Sequence, residues 1–430
     1  MAEELRRELG FRDLCLFSLT GVIGIRWLPA AAQTGAAASI LWIAAAVFFF
    51  VPSAFAIGRL SARFPDEGGL YIWTRECFGE WHGFLCFWLY WLGLTFWFPS
   101  ALMAYTSMSV YALGPSYVHL ADQHWFVLSA SMAALWLTIG ANILGLRTAK
   151  WIDSAGSISA YLLGGILVAL VVATGASLRM PEWPRLDWER INFWSQMAYA
   201  LTGLELAPIL GGEIRDPARN LPRSGLIVAP VATLFYVVAT CMLMALVPPD
   251  KINPLHGISQ AVFAAGGAWL ASPVSILIAI AAMGQLSVLG SAAARLPFVV
   301  GASGYLPPAL SKLHPRFHTP HVSIIVFGVI SSGFLLLTQL GETLRAAYQT
   351  VTDLMVIAGL IPFLYIFAAA WKCGARWSAA FGIVVSIIAI LCSVVPTGDM
   401  RSPWLFEAKL FGVTALLVLT ARLLFNRRVL

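Results

Sequence analysis

Charged side chains make up only 11% of the 430 residues, less than half of the roughly 25% found in soluble domains. So little charge excludes an ordinary solvated surface. Asp, Glu, Lys and Arg are wholly missing from Trp27 to Gly58, Trp81 to Ala121, Gln123 to Leu146, Ser154 to Leu178, Ser224 to Pro249 and Ile252 to Ala294. The six cysteines (15, 77, 86, 241, 373 and 392) form no CxxC pair and have no histidines at metal-ligand spacing, so a disulfide framework or a zinc site is not expected. The seven histidines fall at or near the ends of apolar runs, which argues against a histidine proton relay inside a membrane. HExxH and GxSxG are both missing, so nothing points to a metal- or nucleophile-based enzyme, and no cofactor is expected. No small-residue cleavage site follows Met1–Arg12 at the right distance, so no cleavable signal peptide is expected. The net charge of +6 is read as loop asymmetry, and no nucleic-acid partner is expected.

What remains is apolar residue in long runs, 59% of the chain. A helix needs about 20 such residues to cross roughly 30 Å of hydrocarbon. The runs give about twelve spans, near 13–34, 38–60, 81–112, 125–145, 151–177, 193–212, 225–247, 272–298, 320–339, 346–371, 378–396 and 404–425. The expected fold is therefore an all-α membrane protein, one polytopic domain over 1–430 with the lipid bilayer as its surroundings. With the N-terminus inside, 19 Lys and Arg lie at cytoplasmic ends and seven at outer ends, so both termini are expected to be cytoplasmic. Arg26 belongs to neither side.

Two spans differ from the rest. The first carries Gly21, Gly24 and Pro29, with Arg26 about 20 Å along its axis from Asp13. The sixth carries Gly203, Pro208 and the Gly211-Gly212 pair, with Glu205 in its middle. Gly and Pro free main-chain N–H and C=O groups, tolerable in lipid only where the broken segment lines a protein cavity. Interrupted helices at matching places in two halves of a chain point to a binding site for transported solute. Kinks for packing are the plainer alternative, but an ionisable residue beside each break favours a site.

The residues after span 6, Glu213-Ile-Arg-Asp-Pro-Ala-Arg-Asn-Leu-Pro-Arg223, resemble the cytoplasmic signature of amino-acid permeases. Phe64-Pro-Asp-Glu-Gly-Gly-Leu-Tyr-Ile-Trp73, the stretch Ala294 to Arg316, and Tyr199 to Glu205 are similar to the same superfamily, in collinear order. The chain thus resembles the amino acid–polyamine–organocation superfamily. Its Gly24-Ile-Arg-Trp-Leu-Pro29 looks nearest to the glutamate/GABA-antiporter branch. The resemblance implies the LeuT-like inverted fold, with five-helix repeats over 13–177 and 193–371 and helices 11 and 12 over 378–425. It also implies transport of an amino acid across the cell membrane by alternating access, linked to protons or to exchange. Span 5 lacks the internal lysine of some relatives, with Ser157 or Ser159 nearest to its place, while Ser287 and Ser291 offer oxygens that a sodium ion would need.

In this reading the substrate carboxylate meets the amides around Ile23, Gly24, Ile25 and Arg26, at the positive end of a half-helix. Carbonyls of Tyr199, Ala200, Leu201 and Thr202, with Gly203 beside them, receive the ammonium. The Arg26 side chain either neutralises a carboxylate of the substrate, snorkels, or pairs with Glu205 or Asp353. Glu205 either carries a coupled proton or hydrogen-bonds the broken span 1 as a gate. Asp353 is a proton site, a gate acid, or the partner of Arg26. Beside amino-acid transport stand two other readings, a carrier of polyamines and a sensor of this fold without transport. Charge repulsion from Arg26 counts against polyamines, and short loops without a signalling domain count against a sensor.

Overall fold

The computed structural model describes residues 9–184, 191–338, 343–396 and 402–427. Among them every regular element is helical, the sole extended pairing being an isolated parallel bridge between Leu9 and Ile214. Arg6, Arg7, Arg185, Arg190, Arg401 and Arg428 of the charge count lie outside the described residues, as do the side chains of Arg147 and Lys150.

The first interrupted segment is α1 (Phe11–Val22) and α2 (Trp27–Ala32). Next come α3 (Ala38–Ala45) and α4 (Val51–Arg63), joined by a π turn over Ala46–Phe50, then α5 (Leu70–Phe78), α6 (Glu80–Ser109), α7 (His124–Ile143) and α8 (Leu146–Thr174). The second interrupted segment is α9 (Ile191–Ala200) and α10 (Leu206–Ile209). After it follow α11 (Pro217–Leu246), α12 (Gly257–Ala302), α13 (His321–Leu337), α14 (Leu344–Lys372), α15 (Arg376–Ser393) and α16 (Pro403–Asn426). A helix satisfies its own main chain, which is why apolar sequence in lipid takes this form throughout.

Nine helices among the described residues are long and apolar enough to cross a membrane, the protein being multi-pass. About twelve spans are expected from the sequence, and the three outside this count have physical reasons. The segments around Gly24 and Gly203 are broken, and α13 is only 17 residues long. The expected span at 272–298 is the later part of a longer α12, which bends where Gly267 takes φ 72°.

Small residues let the helices touch. A Cβ on Gly156 of α8 would lie 2.7 Å from the Gly284 Cα of α12, so only glycine permits that crossing. Likewise a Cβ on Gly359 of α14 would come 2.5 Å from the Tyr199 ring, so the glycine makes room for a side chain beside the second break. These close approaches draw α6, α8, α12 and α14 around the two interrupted segments, which the bundle buries.

Candidate functional site

The breaks lie against each other. Between α1 and α2, residues 23–26 leave the helix, and between α9 and α10, residues 201–205 do so. Gly203 takes φ 124°, and a Cβ there would stand 3.0 Å from the carbonyl group of Gly21 and the amide nitrogen of Val22. That approach requires glycine, on conformation and on space.

A small cavity opens at this contact, with about 20 Å³ available to the centre of a water molecule. It holds about one water, so the segments are closed upon one another. Tyr199, Ala200, Thr202, Gly203 and Glu205 line it from the second segment, and Gly21, Val22 and Trp27 from the first. Tyr90, Leu94 and Trp97 of α6 and Gln285 and Leu289 of α12 complete the wall.

The main-chain groups are partly committed, a correction to the expectation that the breaks leave them free. The Gly24 amide donates to the Tyr236 hydroxyl at 2.8 Å. That hydroxyl in turn donates to the Val22 carbonyl at 2.8 Å, with the Ala200 carbonyl at 3.3 Å. Thr202 N–H returns to the Tyr199 carbonyl at 2.9 Å, and Leu201 N–H to Ala198 at 3.2 Å. The Arg26 amide faces the Tyr105 hydroxyl, and the Ile25 amide has no main-chain partner among the described residues.

Arg26 is fully buried. One terminal nitrogen donates to Ser100 at 2.9 Å and the other approaches the Met355 sulfur at 3.5 Å. The guanidinium carbon lies 3.8 Å from the centre of the Trp27 ring and 5.1 Å from that of Trp97. Its Nε has no partner. Pairing with Glu205 or Asp353 is absent among the described residues, and snorkelling is inconsistent with such burial. A cation–π pair offsets part of the desolvation of a buried cation, yet a full charge in such a place ordinarily faces an anion.

Glu205 is spent near its own break. It accepts the Tyr90 hydroxyl at 2.8 Å and the Gly203 amide at 2.7 Å, so it holds the second interrupted segment and α6 together and, among the described residues, makes no bond to the first. Asp353 stands apart from the cavity wall. It accepts from Gln349 at 3.0 Å, and the same amide reaches Asn192 of α9 at 2.8 Å.

Several functional neighbours had no mark in the sequence. Tyr236, Tyr90 and Trp97 are aromatic residues inside apolar runs, where packing is the ordinary explanation. Gln285, which accepts from Tyr105 and donates to the Gly21 carbonyl at 3.4 Å, was an uncharged polar residue in a long span. Asp153 is buried in α8, and its place near the charged start of the helix hid it among loop charges. Ser291 donates to Asn142 at 2.7 Å, while the Ser287 hydroxyl faces the Asp153 carboxyl. Cysteine, histidine and acidic residues form no group of three suited to a metal ion among the described residues.

Comparison with known proteins places this geometry in context. Residues 9–401 match the amino acid permease family. An uncharacterized transporter of Legionella pneumophila is 23% identical, over 96% of this chain and 95% of that one. A probable agmatine/putrescine antiporter of Lactococcus lactis is 21% identical, over 85% of this chain and 80% of its own. A branched-chain amino acid permease of Bacillus subtilis is 24% identical, over 77% and 74% respectively.

Proposed function

The chain belongs to the amino acid permease family, a transporter of amino acids or amines and not an enzyme, and we propose that its substrate is an amino acid held between the two breaks. Alternating access carries that substrate across the cell membrane. In this reading the interrupted segments are the first members of two inverted five-helix repeats, 13–177 and 193–371, followed by helices 11 and 12 over 378–425. The two broken spans and the short α13 bring the membrane crossings to about twelve, with both termini in the cytoplasm.

One observation carries the choice of substrate. The fully buried Arg26 guanidinium has no acidic partner among the described residues, and its Nε is unbonded. An anion arriving with the substrate satisfies it, and every amino acid brings a carboxylate. The Ile25 amide supplies a further donor to that anion, and the carbonyls of Tyr199, Ala200, Leu201 and Thr202 face the ammonium beside Gly203. Tyr236 then gives up part of its hold on the breaks as substrate enters.

The resemblance to an agmatine/putrescine antiporter raises a second reading, a carrier of cationic amines. An unpaired buried arginine at the first break opposes it, since a dication held between the breaks meets like charge. For coupling, Glu205 and Asp353 supply buried carboxyls with neutral partners, and Ser291 is engaged by Asn142. Proton linkage or exchange is therefore favoured over sodium. The test is uptake into proteoliposomes of a radiolabelled panel of amino acids and polyamines, with proton and sodium gradients imposed separately. Amino-acid uptake without sodium is expected. Uptake of polyamines alone, or uptake that vanishes in choline buffer and returns only with sodium, contradicts the proposal.

A further inference from the structure

On the side where Leu9 lies, the second broken segment ends in a plug beneath the cavity. Leu206 lines the cavity itself, and Gly211–Glu213 then winds into a tight 3-10 turn. The loop over residues 64–69 seats on this turn. Gly68 N–H donates to the Ile209 carbonyl at 3.1 Å. A Cβ on Gly211 would stand 2.8 Å from the Pro65 carbonyl oxygen, and one on Gly212 3.0 Å from a Glu67 carboxylate oxygen. Leu9 stitches the turn from beneath, donating to the Glu213 carbonyl at 3.0 Å and accepting from Arg215 N–H at 3.0 Å.

Among the described residues, a buried cation clamps the closure. Arg295 of α12 grips Glu213 with two arms, at 2.7 and 3.2 Å, and both residues are only 3% exposed. Its remaining arm donates to the Ser291 carbonyl at 3.0 Å. The charges around it do not balance. Glu67 and Asp153 also face Arg295, the first from the loop and the second from α8. One buried oxygen of Glu67 has no hydrogen-bond partner, and neither has one oxygen of Asp153, a residue 4% exposed. Glu67 itself is faced by Glu213 from the turn and by Arg295 from α12, while Asp66 of its own loop is exposed. One guanidinium does not neutralise three carboxylates sharing so little water.

We infer that Glu67, Glu213 and Arg295 form a proton-loaded latch on the cytoplasmic closure of the transport path. With a proton on Glu67, the 64–69 loop seats against the Glu213–Arg295 pair. Without it, two carboxylates compete for one guanidinium, the loop lifts from the turn, and the way to the cavity opens from that side. The latch rests on the alternating-access reading above and regulates it through cytoplasmic pH.

The sign follows from linkage. Burial first, then the Glu213 charge, push the Glu67 carboxyl up to about 8, with Arg295 pulling the other way. With the loop lifted, Glu67 stands in water and returns towards its ordinary value near ~4.3. The seated form thus binds the proton more tightly. Closure is strongest below the ordinary carboxylate range, weakens by up to about tenfold per pH unit, and is weakest above about 8.

Hydrogen exchange on the full chain in nanodiscs tests this, following peptides that cover residues 64–69 and 206–214. Rates at about pH 6 and pH 8 are divided by those of unstructured peptides, to remove the intrinsic pH dependence of exchange. The wild-type protein is expected to open at least about tenfold more at the higher pH. Glu67→Gln, which keeps the shape and removes the titration, should show less than about a twofold difference. Glu67→Ala should be equally flat. A flat wild-type profile overturns the latch, as does an undiminished response in either variant. The readout needs no substrate, so a failure of amino-acid uptake sinks the functional proposal and leaves the latch to stand or fall by itself.

Discussion

Tyr236 of α11 accepts a hydrogen bond from the Gly24 amide at 2.8 Å and so ties a third helix to the first break. Its own proton goes to the Val22 carbonyl at 2.8 Å, with the Ala200 carbonyl of the second break at 3.3 Å. The ring stacks on Trp42 with centroids 4.3 Å apart, which fixes where the hydroxyl stands. Tyr236→Phe keeps the stack and removes the oxygen. Each buried group left without a partner costs about 1–3 kcal/mol. A lower unfolding temperature is expected, with weaker binding of every substrate by a similar factor. Unchanged stability and binding by thermal shift and calorimetry would show the bridge to be incidental.

Gly203 allows no side chain. A valine at this position meets the Gly21 carbonyl and forces a β-branched residue to φ 124°. Gly203→Val should therefore weaken binding of all transported amino acids alike, because the head group is common to them. Leu289→Ala, in the cavity wall, should instead change the rank order among side chains. Gly140→Ala is the control, since a Cβ there has no neighbour within 4 Å. Calorimetry across several substrates separates the two patterns.

Glu205 offers two acceptors to two donors, the Tyr90 hydroxyl and the Gly203 amide. Glu205→Gln retains one carbonyl for the amide, and the phenol can turn to accept from the new NH2 group. Glu205→Ala strands both donors in a buried place, at about 1–3 kcal/mol each. Thermal unfolding should rank wild type near Glu205→Gln and well above Glu205→Ala. If the carboxyl also carries the coupled proton, Glu205→Gln loses the response of uptake to a proton gradient while retaining exchange.

Away from the two breaks, in the segment before α7, Asp122 lies 3.3 Å from the His256 ring nitrogen. The hydrogen bond from His256 holds the Asp122 carboxyl below its ordinary value, with Arg345 adding to the pull. A depressed carboxyl contributes stability above the unfolded value and loses it as pH falls through the folded one. The effect is small, because the Asp122 side chain is 56% exposed and water screens the pair. Asp122→Asn should flatten the acid limb of a thermal-stability profile and leave the neutral region unchanged. An identical acid limb in both proteins contradicts this.

Much of the helical plan is legible in composition, because apolar runs in lipid have only one way to satisfy their main chain. The breaks are legible too. Gly24 and Gly203 stand in the interrupted stretches, since a residue that weakens a helix acts locally. Partners are another matter. In the sequence alone Arg26 is open to pairing with Glu205 or Asp353, yet Glu205 turns to Gly203 and Asp353 to Gln349. Nothing in the order of residues says which helix face a distant acid occupies. The sequence leaves Tyr236 and Asp153 unmarked for the same reason, their places arising when α11 and α8 pack beside the first break.

Arg26 decides the account. The direct measurement is uptake of radiolabelled amino acids into proteoliposomes by wild type, Arg26→Ala and Arg26→Lys, with thermal unfolding to verify that each is folded. If the buried guanidinium neutralises the substrate carboxylate, the wild-type protein transports and Arg26→Ala is folded but inactive. Arg26→Lys recovers little, because a compact ammonium does not reproduce the planar two-point fork or its stacking between Trp27 and Trp97. Near-normal uptake by Arg26→Ala would contradict the account.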